Sequence, residues 1–240
     1  MCTLFPRLLI LLMLLGINMA GVEAKENFSL KDRFGCAQNG DYVVIEYQKL
    51  YTFFHILEVA TSHLLLEEIS VPIHMIKEGH SWRKWYQSKA PRNVSWVTYN
   101  FNFQSGLIEE AYSLSEKRKI DISSFDAILP KLVNLRFQVV SNDKRLKSGP
   151  MPGVDEIDTR PLWNPGVRVD GRLIQNVEFD VWHAKWDLDE SDLAGKEVEL
   201  YMAKNNPLVP DYFPFWLQVK DKWKRAKLRV IDSGRNLYLN

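Results

Sequence analysis

The side chains able to do chemistry are scattered along this chain rather than gathered in a motif. The densest titratable run is Asp187-Leu188-Asp189-Glu190-Ser191-Asp192. Its carboxylates at the first and third positions match the start of a calcium loop. Asp192 then stands at the sixth position, where a glycine must turn the chain, and Val198 at the twelfth, where a bidentate Glu is needed. The run reads as a solvated turn in which Ser191 or Asp192 caps local amides. The five histidines are His55, His63, His74, His80 and His183. His74 and His80 are six residues apart and no second ligand pair exists, so a closed zinc site is not indicated. Asp232-Ser233-Gly234 lacks the leading glycine of a nucleophile elbow, and nothing in the sequence brings a histidine to Cys36. No phosphate-cradling loop or dinucleotide fingerprint is present. No catalytic residue, metal or cofactor is therefore assigned.

What stands out instead is aromatic. Trp82, Trp96, Trp163, Trp182, Tyr201, Phe215 and Trp216 concentrate in predicted strands, one helix and a proline-rich loop. They are the candidate ligand-binding residues, for a hydrophobic ligand, a lipid or a lipoprotein segment held on the hollow side of a bent sheet. An ordinary strand core draws on the same residue types. The basic run KWKRAK at 222–227 reads as a solvated hairpin turn or as a peripheral contact with anionic lipid head groups.

These residues need a sheet to position them. Residues 195–217 hold two alternating runs, 198–202 and 215–217 continuing to 219, around an Asn/Pro-rich break, which reads as an antiparallel hairpin. Residues 41–47, 51–61 and 64–76 read as a meander, with Pro72 at an edge or bulge. Ser81 is a plausible N-cap for a helix at 79–90, stopped by Pro91. Residues 94–103 alternate, with Trp96 on one face and Val97, Tyr99 and Phe101 on the other, and 107–114 pair back. The apolar spacing over 125–135 is helical, with Pro130 starting a turn; 137–140 returns to strand. Residues 148–166 carry four prolines and three glycines and read as an ordered crossover loop pinned by Trp163. Strands follow at 167–174, 177–185 and 226–231. Residues 25–40 read as polar and loose.

The first residues read as address rather than fold. Arg7, an apolar run over 8–17 and Val22-Glu23-Ala24 predict a signal peptide over 1–24, cleaved before Lys25; the apolar run is too short to span a bilayer. The remaining 25–240 reads as a single exported domain, periplasmic or secreted. Arg7 and Glu23 leave together, so the net charge stays at +1, which argues against nucleic acid as a partner. Cys2 also leaves, so Cys36 has no disulfide partner. Two glycosylation sequons, at Asn27 and Asn93, matter only in a eukaryotic host, and the chain reads as bacterial.

The signal to Ala24, the strands over 41–76, the aromatic helix at Trp82 and the closing strands resemble the periplasmic lipoprotein-carrier and outer-membrane lipoprotein-sorting superfamily. The resemblance is architectural and carries no site residue. It implies a half-barrel with covering helices. The expectation is thus a mainly β, curved antiparallel sheet with two or three short helices. The function expected is a non-catalytic envelope protein that binds a hydrophobic ligand or a lipid or lipoprotein partner. A hydrolase using His183, Asp187 or Asp189 is one alternative, and an assembly protein using exposed sheet edges is another.

Overall fold

A computed structural model describes residues 27–47, 49–77, 79–122, 128–189, 193–204, 206–220 and 225–238. The expected signal peptide, residues 190–192 of the acidic turn and 222–224 of the basic run lie outside the described residues.

The chain is mainly β. A meander of β2 (Tyr42–Tyr47), β3 (Leu50–Val59), β4 (His63–Pro72), β5 (Ser95–Asn102), β6 (Leu107–Ser113) and β7 (Arg118–Lys119) forms one half of the sheet. The other half is β1 (Asn27–Phe28), β8 (Phe137–Val139), β11 (Glu178–Lys185), β12 (Glu197–Lys204), β13 (Trp216–Lys220) and β14 (Arg225–Gly234). The last strand, β14, pairs antiparallel with β2 and joins the halves, giving the order β1-β8-β11-β12-β13-β14-β2-β3-β4-β5-β6-β7. The two outermost strands have two residues each, which leaves little backbone for a further strand to pair with.

The sheet is bent but not closed. Side chains of seven consecutive strands, β13 to β6 in sheet order, line a single cavity of about 130 Å³. Laid flat at about 4.8 Å per neighbour, those strands would span roughly 29 Å, several times the width of such a cavity. Register shifts at Ile56/Glu58, Asn100/Phe101 and Val230/Asp232 supply the extra residues that let strands bend.

Both faces are apolar, so both are covered. The concave face packs on α1 (Leu30–Phe34) and α3 (Ile128–Asn134) through Leu30, Phe34, Leu132 and Val133. The outer face of β2 to β4 is covered by α2 (Trp82–Gln87), whose Trp82 and Trp85 bury on Phe53, Ile69 and Val71 together with the tail residue Leu237. Ser81 caps α2 by accepting the Lys84 amide, as its sequence position predicts. The outer face of β11 and β12 is covered by Trp163 from the proline-rich loop and by a small separate hairpin, β9 (Val167–Val169) and β10 (Arg172–Ile174).

Three sequence expectations change. Residues 25–40, expected loose, contain β1 and α1; Ser29 donates from its amide and hydroxyl to Asp32 Oδ2, and Leu30 is buried. The run 64–76 ends as strand at Pro72, which cannot donate to a ladder, and continues as a 3₁₀ turn, Ile73–Met75. The run 167–174 is two strands, because Asp170 and Gly171 both adopt positive φ and turn the chain back.

The ends of the domain are tied by a buried ion pair. Asp41 is fully buried and accepts from Arg235 Nη1 at 3.1 Å, while the Leu237 amide donates to the Gly40 carbonyl at 2.8 Å. Burial pushes the Asp41 carboxyl up and Arg235 pulls it back. Removing the guanidinium strands the acid, at a cost of about 3 kcal/mol. Arg235→Ala should therefore lower the urea midpoint at neutral pH, with the deficit shrinking as pH falls and the carboxyl takes up a proton. Equal midpoints at neutral pH would show that the pair does not hold the tail.

Candidate functional site

The concave cavity is built from alternate residues of the sheet and one side of each helix. Val43 and Ile45, Phe54 and Ile56, Leu64 and Leu66, Phe101, Ile108, Leu217 and Leu228 face it from the strands. Leu30, Phe34, Leu132 and Val133 close it from α1 and α3, and Tyr212-Phe213-Pro214 from the connection into β13. Tyr212 is the one polar residue of the lining. Its hydroxyl is held well above its ordinary value by burial, with the Asp41 charge adding to the effect, and so stays neutral. The cavity can hold an apolar group and has nothing with which to attack one.

The opposite face carries an open groove of about 870 Å³. Glu46, Arg229 and Trp216 lie side by side across β2, β14 and β13 and form its floor. Each neighbours a cavity-lining residue in sequence, and alternation puts the two sets on opposite faces. One wall is Lys77, His80 and Trp82; the other is Trp163, Arg168 and Leu173. The walls are clamped together by Arg83 of α2, which donates to Asp170 of the small hairpin through Nε at 3.0 Å and Nη2 at 2.9 Å. The same guanidinium reaches the Arg235 and Asn236 carbonyls, and Tyr42 donates to Asp170 Oδ1 at 2.8 Å. Gly234 is required beside this hub, since a Cβ there would lie 2.4 Å from the Tyr42 ring.

The groove is aromatic and charged. Trp163 meets Trp216 edge-on at 5.1 Å, and Lys227 stands over the Trp216 ring at 5.4 Å. Arg229 pairs with Glu46 at 2.6 Å. Burial pushes the His80 imidazole down, toward its neutral form. Asp232 is buried at the floor; its Oδ1 accepts from the Gly171 and Ser233 amides at 3.0 Å each, yet burial outweighs them and pushes the carboxyl up to about 6. Rings and cations together bind by stacking and charge.

The seven predicted aromatic residues are split among three packed clusters. Trp163, Tyr201, Phe215 and Trp216 come together under the proline-rich loop. Trp82 and Trp96 join the cluster under α2, where Trp96 Nε1 donates to Glu67 Oε1 at 2.6 Å. Trp182 is on the concave side, edge-on to Phe28 at 4.3 Å. None lines the concave cavity, whereas Trp82, Trp163, Phe215 and Trp216 line the outer groove. The cavity wall was missed because it is aliphatic and phenylalanine; its signal lay in the partners of those rings along each strand, such as Leu217 beside Trp216.

The other titratable candidates do not converge. His183 pairs with Glu197, and Asp189 accepts from Lys131 Nζ and Trp186 Nε1. His55 is fully buried, with Nδ1 on Glu67 Oε2 at 3.0 Å among Phe53, Tyr86 and Tyr238. Among the described residues no three metal-ligating side chains gather, and no helix is long and apolar enough to cross a membrane.

Residues 52–175, just over half of the chain, match the family model described as CT021 protein. No curated protein matches the chain. The solved structure of the hypothetical protein CT021 from Chlamydia trachomatis superposes with a TM-score of 0.60 at 15% identity, over 87% of this chain and 93% of that one. At that identity the likeness is one of fold.

Asp232 gives the groove a pH signature. With the carboxyl raised in the folded state, its ionised form is penalised. Stability is full below the carboxyl's ordinary value near 3.8 and falls as pH rises through about 6. Asp232→Asn keeps an Oδ1 acceptor for both amides. It should raise unfolding free energy at pH ~8 by about 1–3 kcal/mol and flatten the change between pH ~4 and ~6. Urea melts of both proteins across that window check this; an unchanged slope would contradict it.

Proposed function

We propose, for a chain that belongs to the CT021 protein family, a non-catalytic role as an exported envelope protein that holds a hydrophobic group under its bent sheet. The ligand class is a short acyl stretch of a lipid or lipoprotein, or a single apolar ring. The observation that carries this reading is the concave cavity, about 130 Å³ lined by apolar side chains from seven strands and two helices, with Tyr212 as its one polar residue.

Magnitudes support it. Protein interiors pack closely, and few voids exceed a water molecule. At about 24 cal/mol per Å³, an empty space of this size costs roughly 3 kcal/mol, which a ligand would offset. Apolar cavities of similar size stay dry and take up benzene or xenon. The site of action rests on the targeting segment read from the sequence. Little in the geometry favours a hydrolase, since His183 and Asp189 have separate partners.

The test is titration of octanoate, and separately benzene, into the purified protein, followed by methyl NMR. Resonances of Leu66, Ile108 and Leu132 should shift and saturate. Leu66→Phe with Leu132→Phe fills the space and should weaken binding about tenfold or more without lowering the unfolding midpoint. Absence of any shift, or equal binding by the filled variant, would remove the proposal.

A further inference from the structure

The arm formed by residues 146–163 is anchored through Trp163 on Tyr201 and Trp216, while its far end is exposed. Its base is a single antiparallel bridge: Lys147 bridges Leu162, the Ser148 amide donates to the Pro161 carbonyl, and the Trp163 amide to the Leu146 carbonyl, both at 2.8 Å. Two contacts fasten the two sides: Lys147 Nζ on Asp158 at 3.1 Å and Arg160 Nη1 donating to the Gly149 carbonyl at 3.3 Å; Arg160 Nε also pairs with Asp158 at 2.9 Å. The Arg160 guanidinium holds that carboxyl well below the usual carboxylate range. Beyond the base the tip is turned by a Gly153–Glu156 pair, with Glu156 Oε2 accepting the Gly153 amide at 3.0 Å and the Glu156 amide donating to the Gly153 carbonyl at 3.1 Å.

The tip turns on itself, yet it presents Met151 at 79%, Val154 at 103% and Ile157 at 88% exposure. Single exposed apolar residues are ordinary; three on one seven-residue turn make a patch that burial would stabilise. Between them stand Asp155 and Glu156, which make no salt bridge among the described residues. The tip is thus apolar and acidic. The outer groove is its counterpart, aromatic through Trp163 and Trp216 and basic at its rim through Lys77 and Arg168, which likewise make no salt bridge among the described residues.

We propose that the arm tip of one copy docks in the outer groove of a second copy. Charge complementarity selects this occupant: the acidic tip is repelled by anionic lipid head groups and attracted by the basic rim. Geometry supports reciprocity. Trp163 belongs both to the arm's base and to the groove wall, so arm and groove are contiguous and one two-fold interface can include both. Such an exchange is isologous and closes at two copies. No residue of the arm or of the groove lines the apolar cavity, so this inference stands or falls separately from the proposed ligand.

The test is the mass of the protein as purified from the cells that make it, by light scattering across concentration at low and high salt. A dimer that weakens with salt is expected. Val154→Ser with Ile157→Ser, at positions already exposed, should leave the thermal melt unchanged at concentrations dilute enough for both proteins to be monomeric and raise the dimer dissociation constant about tenfold or more. Asp155→Lys with Glu156→Lys, and separately Lys77→Glu with Arg168→Glu, should each be monomeric alone, while mixing the two charge-reversed proteins should restore a heterodimer. A monomer up to the solubility limit, a dimer indifferent to the tip variants, or retention of the wild-type tip by anionic vesicles in place of self-association would overturn the proposal.

Discussion

A sheet with apolar side chains on both faces must be buried twice, and most of this structure follows from that requirement. The strands alternate, but along β2, β4, β5 and β13 both sets of alternate positions carry large apolar groups. Neither face can be left to water at about 25 cal/mol per Å² of exposed apolar surface. Bending solves half the problem: a curved sheet meets its own inner face through two short helices. The outer face has no such economy and is covered piecewise, by α2, the C-terminal tail, the small hairpin and Trp163.

Piecewise covering leaves a seam, and the groove is that seam. It runs where the α2 cover and the hairpin cover approach without merging, and Arg83 on Asp170 sets their spacing. Glu46 and Arg229 pair on its floor, where the sheet is left uncovered between the two covers. Asp41 with Arg235 serves the covers in another way, fixing the tail that carries Leu237 onto the α2 cluster. Both devices are polar contacts whose purpose is to keep apolar surfaces in place.

Much of the fold was legible because period-two patterns are strong. The meander over β2 to β6, the Ser81 cap and the β12–β13 hairpin follow from residue type and spacing alone. The helix α1 was not legible: five residues hold too little periodicity to show, and it is held by a cap and by the burial of Leu30. The site was half legible. Alternation tells which residues share a face but not which face turns inward, so Trp216 and Leu217 compete on equal terms for the hollow. The structure turns Leu217 inward and leaves Trp216 on the groove floor.

An apolar space lies under the bend, with Phe34, Leu66, Ile108 and Leu132 in its lining. A crystal of the protein held under xenon pressure and measured at the xenon absorption edge addresses it without knowledge of the natural ligand. One ordered xenon atom among those four side chains is the predicted result. A hollow occupied by the protein's own side chains, with no xenon in it, would contradict the account.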